Sequence, residues 1–273
     1  MPSSNPAFRG LSGAGNGQQQ YAGWGTPQPQ YGAPAQHDPY AAPSPYSATT
    51  TRYLTMDDVV VKTGLTFLVT VLAAAATWAI VPDTMAIALL VPALIVGLVL
   101  GLVIAFKQIA NPAATLAYAA VEGVLVGAIS EFYAANWGGN IVTQAVIGTF
   151  GVFFGMLVVY KTGAIRVTPK LTRWIVGALF GVLALVLVNL IASFFTPGGL
   201  GLRDGGPLAI VFSLVVIGVA AFSLLLDFDM ADEAIRRGAP AKFAWYIAFG
   251  LLVTVIWLYL EILRLLSYLQ SSD

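Results

Sequence analysis

The chain has 273 residues, 58% of them hydrophobic and only 10% charged, with Lys+Arg and Asp+Glu balanced at 13 each. A soluble domain carries roughly 25% charged residues, so this apolar content exceeds what a soluble core can use, and the balanced charge offers no footing for nucleic acid. The absence of cysteine excludes disulfides, thiolate metal sites and cysteine nucleophiles, and the one histidine, His37, lies outside every apolar stretch.

Residues 1–52 are rich in Pro, Gly, Gln, Ser, Ala and Tyr, as in QYAGWGTPQPQYGAPAQHDPYAAPSPY. With so few branched aliphatics the segment cannot bury enough surface to offset its ordering entropy, and it is predicted to be a disordered tail. It lacks the basic start, apolar stretch and small-residue cleavage site of a secretory signal.

Seven apolar stretches follow, near residues 59–81, 85–106, 114–134, 141–160, 174–195, 207–227 and 243–268. Each is close to the roughly 20 residues that a helix needs to cross the hydrocarbon region. Polar or Gly/Pro-rich breaks divide them, among them KQIANP, NWGGN, TPGGLGLRDGG and DMADEAIRRGAPAK. Residues 53–273 are therefore predicted to be an all-α, polytopic membrane domain of seven transmembrane helices, with a lipid bilayer as its surroundings.

Lys and Arg distinguish the two sides, because basic residues accumulate in cytoplasmic loops. With the N-terminus inside, Arg9, Arg52, Lys62, Lys107, Lys161, Arg166, Lys170, Arg173, Arg236, Arg237 and Lys242 fall on or near the cytoplasmic side. Arg203 alone falls outside, and Arg264 lies within the last span. The expected location is thus the cell (plasma or inner) membrane, with the C-terminus outside. Gly97/Gly101, Gly123/Gly127, Gly151/Gly155 and Gly177/Gly181 have the GxxxG spacing that lets helices approach closely in lipid. Pro92, inside the second span, is expected to kink it.

An ionisable side chain within a span costs at least about 2.5 kcal/mol on insertion scales and is usually paired or functional. Glu122 is placed near the middle of the third helix and Glu131 about 10 Å farther out. Glu261 falls about 8 Å outward of centre on the seventh helix, and Asp227 closes the sixth near its cytoplasmic end. Arg264 follows Glu261 at a spacing that allows an ion pair. Asn189 and Gln144 are placed in the same outer half, where they would make a polar cluster. A carboxylate in a low-dielectric site can bind a proton near neutral pH or attract a hard cation such as Ca²⁺. Asp227 and Glu261 are accordingly candidate Ca²⁺ ligands, with protons or Ca²⁺ as transient guests and no resident cofactor. Enzyme chemistry is not expected, for there is neither a GxSxG surrounding for a serine nor a GxGD aspartyl motif; a retinal Schiff base is set aside because Lys242 lies only at the mouth of the last helix.

EGVLVGAISEFY on the third span, SLLLDFDMADEAIRRG at the end of the sixth and WLYLEILRLLSYL in the last resemble the Bax inhibitor-1 family, whose bacterial branch includes YccA-like and YetJ-like proteins. The resemblance implies a bundle with the last helix at its centre. It also implies a pH-sensitive Ca²⁺ leak gated by two aspartates on the last two helices. Asp227 in LLLDFD matches the first of these aspartates. For the second, matching LYLE points to Glu261, whereas matching the ILR that contains Arg264 points to Val253 or Thr254. Lys107 stands close to where the family carries an arginine facing the sixth-helix aspartate. The expected function is a pH-sensitive cation leak with Asp227, Lys107 and Glu261 as sensor or gate and Glu122, Glu131, Arg264 and Asn189 as pathway or pairing residues. The alternative is a non-conducting regulator that binds other membrane proteins, such as a membrane protease, through the tail or the helix surfaces. A secondary transporter is the weakest of the three, for want of a repeated half or broken-helix pair.

Overall fold

The structure, a computed structural model, describes residues 52–81 and 83–271, with backbone alone at 83–87. The expected tail lies almost wholly outside these residues. The described chain folds as seven long helices: α1 (Met56–Ile80), α2 (Asp83–Lys107), α3 (Pro112–Trp137), α4 (Asn140–Thr162), α5 (Pro169–Ser193), α6 (Pro207–Arg236) and α7 (Ala244–Ser271), with a single 3₁₀ turn, Ala241–Phe243, before the last. All seven are long and apolar enough to cross a membrane.

Local sequence sets the helix ends. Thr55 and Asp58 form a reciprocal capping box at the start of α1. Asn111 and Thr168 cap α3 and α5, each followed by a proline whose missing N–H is no loss in the first turn. Gly163 ends α4 in the left-handed region, at φ 67°.

The burial pattern is that of a protein whose solvent is lipid. Large apolar side chains such as Val71, Leu98 and Phe180 point outward, while Thr66, Thr115, Ser213 and Glu261 are buried. α7 is the central helix: 72% of its span is buried, against at most 44% for any other. It packs against α1, α3, α4 and α6, while α2 leans on α3 and α5 on α6. The α1–α3 seam is the closest approach. A Cβ at Gly123 would stand 2.5 Å from the Thr70 carbonyl oxygen, and one at Gly127 would stand 2.6 Å from that of Ala74. Gly97 and Gly101 likewise abut α3 side chains, but Gly151, Gly155, Gly177 and Gly181 face open space. Two of the four GxxxG pairs therefore serve packing within the chain.

Residues ahead of α1 are tied to the α6–α7 connection. Leu54 N–H donates to the Ala239 carbonyl at 2.8 Å and Ala241 N–H to that of Arg52 at 2.8 Å. Lys62 Nζ adds a bond to the Ala241 carbonyl at 2.7 Å.

One boundary corrects the sequence expectation. α6 does not stop at Asp227 but runs on to Arg236. Hydropathy falls at DFDMADEAIRR, yet Phe228, Ala231 and Ala234 keep one face buried against the core. Glu233 pairs with Arg236 and Arg237 on the exposed side, so the continuation is an amphipathic helix. Asp227 is consequently an interior residue of α6, with more than two turns beyond it.

Candidate functional site

The candidate site is a cavity of about 540 Å³ lined by α2, α3, α6 and α7 that contains both Glu122 and Asp227. On α2 the wall alternates Leu94, Leu98 and Leu102 with the small Gly97, Gly101 and Ala105. A Cβ at Gly97 would come within 2.9 Å of Glu122 Oε1, so the carboxylate occupies the room that the glycine vacates. Tyr118 lies one turn before Glu122 on α3, and its hydroxyl interacts with that carboxylate. Its ring packs edge-on against Phe249 of α7 at 4.8 Å between centroids, which fixes where the hydroxyl points.

Asp227 faces α7, where Thr254 Oγ1 donates to its Oδ2 at 2.7 Å. The same hydroxyl lies 3.3 Å from the Gly250 carbonyl. A hydroxyl carries one proton, so the two acceptors compete for it. A Cβ at Gly250 would stand in ordinary contact with Asp227 Oδ1, at 3.7 Å. Among the described residues no lysine or arginine forms an ion pair with Asp227 or Glu122. Both carboxylates are offered hydroxyls alone.

Glu261 occupies a different environment. It is 2% exposed, accepts a bond from Ser213 Oγ of α6 at 2.8 Å and forms an ion pair with Arg264 on its own helix. Arg203, in the α5–α6 connection, stands near both. Burial lowers the pKa of its guanidinium, the charge of Arg264 lowers it further, and Glu261 acts in the opposite sense. Thr254 and Glu261 are two turns apart on α7, about 10 Å along the axis. The residue that meets Asp227 on α7 is thus Thr254, one of the two alternatives left by the sequence.

The other expected residues are dispersed. Lys107 is exposed at the end of α2 and makes no ion pair with Asp227, so the expected basic partner is not in place: the helix end carries it out to the surface. Glu131 is buried on α3, beside Ser130, whose hydroxyl shares a 2.6 Å bond with that of Tyr259 on α7. Asn189 is buried, but its Oδ1 accepts from Leu200 N–H at 2.9 Å. It orders the α5–α6 connection, and Gln144 is exposed, so the two form no outer polar cluster. A bound Ca²⁺ takes six to eight oxygen ligands. Asp227 and Glu261 contribute to separate environments, and among the described residues no three acidic or imidazole groups converge. That pair therefore does not fit a shared metal site.

Sequence reasoning reached Thr254 only as an alternative to Glu261, and missed Tyr118 and Ser213. Hydroxyls lower a span's hydropathy only slightly and carry no charge, so only the helix faces could have singled them out.

The Bax inhibitor 1 like family matches residues 5–271. The chain belongs to that family. It is also 35% identical over 82 residues to an uncharacterized protein of Chlamydia muridarum (strain MoPn / Nigg), a stretch that is 30% of this chain and 34% of that protein. The match thus spans about a third of the length of that curated relative. Family membership and the seven apolar helices together make this a multi-pass membrane protein.

Proposed function

We propose that the chain passes cations, Ca²⁺ among them, across a membrane under the control of pH, with Asp227 as the sensor and Glu122 beside it on the route. The observation that carries this reading is the shared cavity: two carboxylates from different helices line it, and no basic side chain neutralises either. In a low-dielectric interior an uncompensated carboxylate either attracts a cation or takes up a proton. When Asp227 takes up a proton it ceases to attract a cation, and the Thr254 hydroxyl gains an alternative acceptor in Gly250. The reading places the N-terminus in the cytoplasm, on the strength of the Lys/Arg distribution. It assigns Glu261 to the architecture, because Arg264 already neutralises it.

The test is Ca²⁺ flux into proteoliposomes across pH. The ionised carboxylate exists above its pKa, so wild-type flux falls as pH falls. Asp227→Asn lowers the flux on the order of tenfold, as about 1.4 kcal/mol on a barrier does, and flattens the pH dependence. Equal flux from both proteins removes Asp227 from the mechanism, and absence of flux from either removes the conducting function.

A further inference from the structure

The second charged feature of the molecule lies at the start of α5. Most basic groups near this end of the bundle are committed: Arg52 and Lys62 to Asp58, and Arg236 and Arg237 to Glu233. The α4–α5 region differs. Lys161, Arg166, Lys170 and Arg173 are all exposed, and none forms an ion pair among the described residues. The sequence between Glu131 and Asp204 holds no acidic residue at all, so α4, α5 and their connection carry no acidic group of their own.

Lys170 and Arg173 share an open face of α5 with Trp174, Gly177 and Ala178. Trp174 is 72% exposed, although an indole is most stable where an apolar body meets a polar edge, as at a membrane surface. Beyond it the helix surface is recessed, since a side chain at Gly177 or Gly181 would meet nothing within 4 Å. α5 leans on α6 alone among its substantial contacts, which leaves this face to the lipid. Arg173 spends its Nε–H on the Pro169 carbonyl at 3.2 Å and keeps its terminal N–H groups. Two cations without an ion pair, an interfacial indole and a glycine recess leading into the apolar zone match, in that order, a phosphate, a glycerol ester region and an acyl chain.

We infer that this face of α5 seats an anionic phospholipid, its phosphate held by Lys170 and Arg173, its backbone beside Trp174 and one acyl chain along Gly177 and Gly181. Charge complementarity selects an anionic headgroup over a zwitterionic one, because basic pockets at helix ends attract acidic lipids. The glycine recess selects a lipid over free phosphate, which has no chain to fill it. This inference does not depend on the proposed conduction.

The experiment is native mass spectrometry of the full chain released from detergent containing equal phosphatidylglycerol and phosphatidylcholine. Wild type is expected to retain phosphatidylglycerol preferentially. The double variant Lys170→Gln with Arg173→Gln is expected to lose that preference on the order of tenfold, while Lys107→Gln keeps it. Gly177→Leu is expected to weaken retention with both cations intact, and this separates a seated lipid from general charge attraction. Equal retention by wild type and the double variant overturns the inference. So does displacement of the bound phosphatidylglycerol by millimolar inorganic phosphate, or a wild-type dimer that retains no lipid while burying the same face.

Discussion

The two halves of the bundle hold their buried carboxylates in opposite ways. Glu261 is satisfied from both sides, by Ser213 across the α6–α7 interface and by Arg264 one turn on. Asp227 and Glu122 share a cavity and receive hydroxyls only, from Thr254 and Tyr118. A compensated carboxylate fixes helices in place and has little capacity left for a passing ion. An uncompensated one contributes less to stability and retains that capacity. The proposed function rests on this contrast: it gives Glu261 to the architecture and Asp227 and Glu122 to ion handling.

This contrast has energetic consequences of graded size. Arg264→Leu leaves Glu261 buried beside Ser213 with its cation gone. Breaking a buried pair from one side costs about 3–5 kcal/mol, so the variant should melt far below wild type in detergent. Adding Glu261→Gln should recover most of that loss, and an unchanged melting curve for Arg264→Leu would show that the pair holds nothing. Thr254→Val removes the bond to Asp227 and should lower stability by about 1.5–3 kcal/mol, the range for a hydrogen bond to a charged group, as read by chemical unfolding in micelles. Asp227→Asn should have the smallest effect, within about 1 kcal/mol of wild type in the same assay. It keeps an oxygen for Thr254 and strands no cation. A loss for Asp227→Asn as large as that for Arg264→Leu would erase the distinction between the halves.

The architecture was legible because a span must be long, apolar and bounded, and each of the seven stretches met all three demands. Reading failed where hydropathy and helix part company. At DFDMADEAIRR the charge looked like an end, yet Phe228, Ala231 and Ala234 carry α6 onward along the core. That continuation turned Asp227 from a terminal residue into an interior one. Spacing along a helix was also legible, as in the ion pair of Glu261 with Arg264 three residues on. Facing was not: helices this apolar give little clue to which side meets which neighbour. Glu122 of α3 and Asp227 of α6 line one cavity, which α2 and α7 complete. Lys107 had a suitable depth and no route to Asp227. The glycines repeat the lesson, since GxxxG spacing was equally clear on four helices and is filled within the chain on two.

The most direct test of this division compares Ca²⁺ flux in proteoliposomes, from pH 5 to 8, for wild type, Asp227→Asn and the doubly neutral Glu261→Gln with Arg264→Met. All three must first be shown to insert and fold equally. The account predicts that Asp227→Asn loses both flux and its pH dependence, while the double variant conducts with the wild-type profile. Loss of conduction in the double variant beside an unaltered Asp227→Asn would contradict it.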